Sequence, residues 1–260
     1  MHHPLMKKNF LFCLLLSSLG LTLTSCGTEK NEKANETSIE AMEGTKEVKS
    51  TLMFEDYQFT SYPDAIIEMY SPLGNEKFDE GKVPFEFNIK NYPFGEGPKS
   101  FKLRMVVNGD EPISYHMPIF QREFKTGTYR VVAYLIDQEG IALKEFGNYV
   151  DRDFMVGNSN PFPDSEEPYM VVNLPENQQI YSQGEEIIID FLLIGGALKE
   201  DGLKFKLSVD GQEHHVKDLS PIRLKNLSPG NHEIIVKLVK DNDEELSGIF
   251  TSVKRNITVK

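Results

Sequence analysis

From about residue 66 onward, apolar and polar residues alternate in short runs broken by turn residues. Phe101-Lys102-Leu103-Arg104-Met105 and Phe205-Lys206-Leu207-Ser208-Val209 keep a strict period of two, which puts apolar side chains on one face of a strand and polar ones on the other. The runs VPFEFNIKNY, GTYRVVAYLID and DRDFMV belong to the same set, as do EEIIIDFLLIG, GNHEIIVKLVKD and KRNITV. Asn108-Gly109 and Asp210-Gly211 are dipeptides that favour tight hairpins, where both central residues need a positive φ. Gln138-Glu139-Gly140 and Asp241-Asn242-Asp243 mark a second turn of each kind. Short strands with closely spaced turns and no long helical period predict an all-β fold built from antiparallel sandwiches.

The pattern occurs twice. Pro72 corresponds to Pro175, Gly81 to Gly184, Pro118 to Pro221 and Gly127 to Gly230, a period of 103 residues. Leu135 and Leu238, Val150 and Val253, Arg152 and Arg255, and Val156 and Val259 continue the series in order. Two tandem sandwiches are expected, over residues 51–157 and 169–260. The segment 158–168, with Pro161, Pro163 and Pro168 among acidic residues, reads as a semi-stiff linker between two rod-like units.

The N-terminus follows a different rule. Lys7 and Lys8 precede the apolar run Asn9-Phe10-Leu11-Phe12-Cys13-Leu14-Leu15-Leu16, and small residues follow it, as in a secretory signal. The stretch to Thr24 is shorter than the roughly 20 residues a membrane-spanning helix needs. Met6-Lys7-Lys8 is a more conventional start than Met1-His2-His3-Pro4. Leu23-Thr24-Ser25-Cys26 resembles the lipobox of bacterial lipoproteins. That resemblance implies cleavage after residue 25, lipid attached to Cys26, and a place in the bacterial cell envelope, with the outer membrane expected. Residues 26–50, rich in Glu, Lys, Asn, Thr and Ser, are expected to be a disordered tether.

Cysteine and charge then narrow the chemistry. The chain has two cysteines; Cys13 leaves with the signal and Cys26 is consumed by lipid, so no disulfide, thiolate site or cysteine nucleophile is expected. Loss of Lys7 and Lys8 takes the net charge from −12 to −14, which argues against nucleic acid or anionic lipid as ligand. No Gly-x-Ser-x-Gly, His-Glu-x-x-His or phosphate-binding glycine loop occurs, and neither an enzyme nor a cofactor is expected.

The order of motifs in each copy is Pro-x(8)-Gly, an apolar run, an Asn-Gly or Asp-Gly hairpin, and a closing Arg-x-x-x-Val. It resembles bacterial immunoglobulin-like or fibronectin-III-like domains over roughly residues 66–157 and 169–260. The resemblance implies a β-sandwich fold and a non-catalytic role as a binding or assembly module for an envelope protein or glycan. Both copies lack the paired cysteines and core tryptophan of antibody domains, so no antibody-type site is implied.

Three candidate sites come from residue chemistry. His214 and His215 follow the Asp210-Gly211 hairpin, and His232 lies on a later strand beside Glu233. One of the adjacent pair with His232 and a carboxylate could form a three-ligand Zn²⁺ or Cu²⁺ site, whereas His214 and His215 point to opposite faces of a strand. Residues 241–245 offer clustered oxygen ligands of the kind Ca²⁺ takes, without the spacing of a calcium loop. Among the aromatic residues, most of which are expected in the core, Tyr92 and Phe94 are the candidates for an exposed ligand contact.

Overall fold

The computed structural model describes residues 51–95, 102–163 and 167–260; the signal segment, Cys26 and the tether lie outside these residues. The described residues form one compact unit. The described residues hold seventeen strands and no helix.

In the first repeat β2 (Ile66–Ser71), β4 (Gly81–Lys90) and β7 (Ile119–Phe124) form a three-stranded antiparallel sheet, in the order β2-β4-β7. It faces a five-stranded sheet of β3 (Glu76–Phe78), β5 (Lys102–Val107), β6 (Ile113–Tyr115), β8 (Gly127–Ile136) and β9 (Tyr149–Val156), ordered β3-β9-β8-β5-β6. Between the sheets lies a core of Val83, Phe85, Phe87, Leu103, Met105, Leu135 and Phe154. Phe85 stacks on Phe120 at 5.3 Å between ring centroids and meets Phe154 edge-on at 6.1 Å.

The second repeat copies this plan with β10 (Tyr169–Leu174), β11 (Ile180–Tyr181), β12 (Ile187–Ile194), β13 (Leu203–Val209), β14 (Gln212–Val216), β15 (Ile222–Lys225), β16 (Gly230–Lys240) and β17 (Ser252–Val259). Its five-stranded sheet runs β11-β17-β16-β13-β14. From β8 and β9 to β16 and β17 the register carries the period of 103. Gly127 lies opposite Val156 on β8 and β9, as Gly230 lies opposite Val259 on β16 and β17. Ile136 bridges Ala142, as Val239 bridges Glu245. Asn108 and Gly109 have φ of 51° and 75°, and Asp210 and Gly211 have 50° and 85°. In the second repeat, where Val209 faces Gln212, these are the values a two-residue hairpin of the favoured type requires.

Two features differ from the sequence expectation. The first is the boundary at residue 51. Residues Met53–Asp56 form β1, which adds to the second sandwich as the outer strand of a sheet ordered β1-β15-β12-β10. Phe54, opposite Leu224, packs on the second core and stacks on His214 at 4.8 Å, and Glu55 reaches Lys225 at 2.6 Å. The chain thus touches the second sandwich before it builds the first. Phe54→Ala removes this stacking and should lower the unfolding free energy by about 1–2 kcal/mol. Urea denaturation checks it.

The second correction concerns the linker and the two separate rods. The sandwiches are packed on one another through a third apolar cluster. Val106, Val132, Tyr134 and Ile136 on the outer face of β5 and β8 meet Tyr169, Val171, Leu192 and Ile194 on the outer face of β10 and β12. Both faces of β8 are therefore buried from Val131 to Ile136, and β10 and β12 are buried almost throughout. The described part of the linker folds back on the first sandwich: Ser159 donates to the Gly127 carbonyl at 2.9 Å, and Thr128 donates to the Asn160 carbonyl. Phe162 lies under the Arg130 guanidinium at 5.3 Å.

The contact is heterologous, since the five-stranded sheet of one sandwich meets the four-stranded sheet of the other. The two remaining outer faces carry polar networks, on the first beside the exposed apolar side chains of Tyr70 and Ile119. Glu68, Asn88 and Lys90 are bonded to one another on the first, and Lys206–Glu213 and Lys237–Glu245 pair on the second.

Candidate functional site

The interface between the sandwiches contains a buried polar network. Asp190, on β12, is fully buried and accepts hydrogen bonds from the Ala142 amide at 2.8 Å, from Asn173 Nδ2 at 2.5 Å and from the Lys144 ammonium. Lys144 also donates to the Phe191 carbonyl at 2.6 Å. Burial pushes the Lys144 ammonium below its ordinary pKa, and the Asp190 carboxylate beside it opposes that shift. Asn173 in turn accepts from Arg104 at 3.0 Å and from the Tyr134 hydroxyl at 3.1 Å, and donates to the Gly140 carbonyl at 2.7 Å. Every one of these groups is satisfied by a partner across or along the interface. Such a closed network fixes the alignment of two apolar faces.

The three histidines are not brought together. His232 lies at the start of β16, with Nδ1 2.6 Å from Asp210 and Nε2 2.7 Å from the Ser228 carbonyl. Both ring nitrogens face oxygen acceptors, and Asp210 also accepts from the Glu233 amide at 2.9 Å. The corresponding Asn108 in the first repeat likewise accepts from the Arg130 amide at 2.8 Å. The hairpin side chain therefore ties down the neighbouring strand in both copies, and His232 belongs to that device. His214 and His215 sit opposite Leu207 and Lys206 on β13, on alternate faces; His214 stacks under Phe54, and His215 Nε2 lies 3.3 Å from Asp243. Among the described residues no group of three or more His, Cys, Asp or Glu is placed to hold a metal ion.

The acidic turn at 241–245 is held by lysines. Asp243 meets Lys204 at 3.0 Å, Glu244 meets Lys240 at 2.9 Å and Glu245 meets Lys237 at 2.5 Å. The Asp241 carbonyl accepts from Lys204 at 2.8 Å. The carboxylates of this turn are thus spent on ion pairs with lysines.

Burial places the His214 imidazole below its usual pKa; nearby Asp56 acts upward and His215 downward. An unfolded histidine takes its proton near pH 6.5, before the folded one does. The unfolded state then binds more protons in that range, and stability falls as pH drops from about 7.5 through 6.5. The slope of stability against pH should flatten in His214→Gln, as measured by urea unfolding at a series of pH values.

Tyr92 and Phe94 are half-buried and pack against the first core, so the expectation that they stand exposed is corrected. The Tyr92 hydroxyl donates to the Ile136 carbonyl at 2.5 Å, its ring meets Tyr62 edge-on at 5.7 Å, and burial raises its pKa. The loop 91–94 does not stand its rings free of the sandwich. Its rings instead close the end of the sandwich, as aromatic side chains with one polar tip often do.

Two surfaces were missed by residue chemistry. One is a groove of about 360 Å³ at the end of the second sandwich, lined by Gln178, Ile180, Asn231, Asn256 and Thr258 together with the Asp210–His232 pair. The other is the free side of β7. Among the described residues β7 pairs with β4 alone. Ile113, Met117 and Ile119 along β6, the connection and β7 are 42%, 60% and 62% exposed. In the second sandwich the matching strand β15 is covered by β1. Edge strands are usually blunted by charge or cover, and here the apolar positions are left open.

No family model matches the chain, and no curated protein does. Several solved structures are similar in fold. Fibronectin(III)-like modules of Clostridium thermocellum CbhA are 18% identical, cover 75% of this chain and 94% of their own, and superpose with a TM-score of 0.29. A Bacteroides ovatus mixed-linkage glucan utilization locus protein, SGBP-B, solved with a heptasaccharide, is 10% identical over 75% of this chain and 70% of its own, with a TM-score of 0.24. Three N-terminal domains of the bacteriophage RB49 outer capsid protein Hoc are 11% identical over 75% and 69%, with a TM-score of 0.22. The sandwich assignment of this chain stands on its own sheet order and register.

Proposed function

We propose that the protein is a lipid-anchored, non-catalytic binding module of the bacterial envelope that presents the open edge of its first sandwich to a protein partner. The observation that carries this reading is the open side of β7, with Ile113, Met117 and Ile119 exposed around it, on an edge whose counterpart in the same chain is covered by a strand. Lys7, Lys8, the apolar run and Leu23-Thr24-Ser25-Cys26 support export and anchoring through Cys26, with the outer membrane as the expected site. The net charge argues against nucleic acid as a partner. The buried titratable groups Lys144 and Asp190 are occupied in holding the sandwiches together, which favours a binding role over catalysis.

The test compares the 27–260 chain with its Met117→Lys, Ile119→Lys variant in affinity capture from solubilised envelope at high salt. A discrete partner lost by about tenfold or more in the variant supports the reading. Equal capture by both chains contradicts it. Stability of the variant should stay within about 0.5 kcal/mol, as expected for exposed positions. Incorporation of labelled fatty acid, abolished by Cys26→Ala, tests the anchor.

A second reading rests on the groove at the end of the second sandwich. Three side-chain amides, a threonine and two carboxylate-bearing residues are suited to sugar hydroxyls. A glycan that raises the melting temperature of the wild type and not of Asn231→Ala, Asn256→Ala would favour it.

A further inference from the structure

The two sandwiches of this chain allow a comparison of one edge with its copy. Matching the registers places Phe85 with Ile189, and so their partners Phe120 with Ile222, Gln121 with Arg223, Arg122 with Leu224 and Glu123 with Lys225. The same procedure on the facing sheet, where Met105 matches Leu207, places Ile113 with His214. In the second sandwich this site is filled. β1 lies antiparallel to β15, Phe54 covers His214, and Glu55 pairs with Lys225. In the first sandwich Ile113 has no such cover and Glu123 occupies the position of the lysine.

We infer that the open edge of β7 receives an extended strand from a partner polypeptide, with an apolar side chain over Ile113 and a lysine or arginine beside Glu123. This rests on the proposed function above and names the kind of partner it requires. Main-chain hydrogen bonds along β7 supply affinity that does not depend on sequence, and the side chains at alternate positions supply choice. Charge sets that choice. A copy of β1 on β7 would bring Glu55 next to Glu123 and leave it without Lys225, so a second copy of this chain is disfavoured. A basic strand gains the pair, and its approach is favoured by the net charge of −12.

The probes are two synthetic peptides with the sequence of residues 51–58, one native and one carrying Glu55→Lys and Asp56→Val. Each is added at millimolar concentration to the 27–260 chain, and hydrogen exchange is followed by mass spectrometry. The basic peptide should protect residues 119–124 and bind about two- to fivefold more tightly than the native one, the size of effect a cross-strand charge pair gives. Glu123→Lys should reverse that preference. Protection of 222–225 alone, no protection of 119–124 by either peptide, or a preference unmoved by Glu123→Lys overturns the inference. So does slower exchange of 119–124 in the 27–260 chain than in a 51–260 chain without peptide, because the tether would then fill the edge. If the peptides fail while Met117→Lys, Ile119→Lys still abolishes capture, the edge recognises its partner without strand addition, and the proposed function survives.

Discussion

Replacing Asp190 with alanine is expected to cost the protein about 3–5 kcal/mol of stability, the range for removing one member of a buried ion pair. The carboxylate is fully buried and accepts three hydrogen bonds. Its loss strands the Lys144 ammonium, whose side chain is only 5% exposed, and leaves the Ala142 amide without its acceptor. The penalty comes from the groups left behind more than from the bond removed. A paired change, Asp190→Leu with Lys144→Met, should recover much of the loss, since an apolar pair of similar volume is often neutral at such a site. Urea unfolding of the three variants checks both statements. Recovery in the double variant would show that the pair sets alignment and contributes little net stability.

Tyr134→Ala should have an effect of similar size, about 3–5 kcal/mol, and a different signature. Tyr134 is fully buried on the outer face of β8, against the second sandwich, and its hydroxyl reaches Asn173. Phe85, by comparison, lies within the first core. Cutting Tyr134 opens a cavity at the interface and removes a donor from the network, while both cores stay intact. The wild type is expected to unfold in one cooperative transition, because the interface couples the two cores. Tyr134→Ala is expected to separate into two transitions, whereas Phe85→Ala should lower the first sandwich selectively. Calorimetry reads the number of transitions directly.

Much of the fold was legible. Alternation in Lys102–Met105 and Phe205–Val209, the two turn dipeptides and the repeat itself each correspond to an observed strand pair or turn. The interface left a signal that was read only as strand. Val131-Val132-Ala133-Tyr134-Leu135-Ile136 and Phe191-Leu192-Leu193-Ile194 break the alternation, and a run apolar on both sides requires cover on both faces. Their counterparts differ: β16 keeps Lys237 where β8 has Tyr134, and β2 keeps Glu68 where β10 has Val171. Comparing the copies position by position separates the covered faces from the wet ones.

The position of β1 was not legible. Four residues, Met53-Phe54-Glu55-Asp56, have no pattern of their own, and they pair with a strand about 170 positions later. Nothing local specifies a partner at that distance. The histidines failed for a related reason: residue type suggested ligands, while hydrogen bonding gave His232 to the Asp210 hairpin and ring stacking gave His214 to Phe54. The open edge of β7 is a property of what does not pair, which residue pattern alone does not express.

Hydrogen exchange of the 27–260 chain, with and without solubilised native envelope, tests the central claim most directly. The account predicts protection on addition of envelope confined to residues 113–124, with the sandwich interface at 131–136 and 190–194 slow in both states. Protection that leaves 113–124 unchanged and falls on residues 178–180 and 231–258 would move recognition to the groove of the second sandwich and contradict the account.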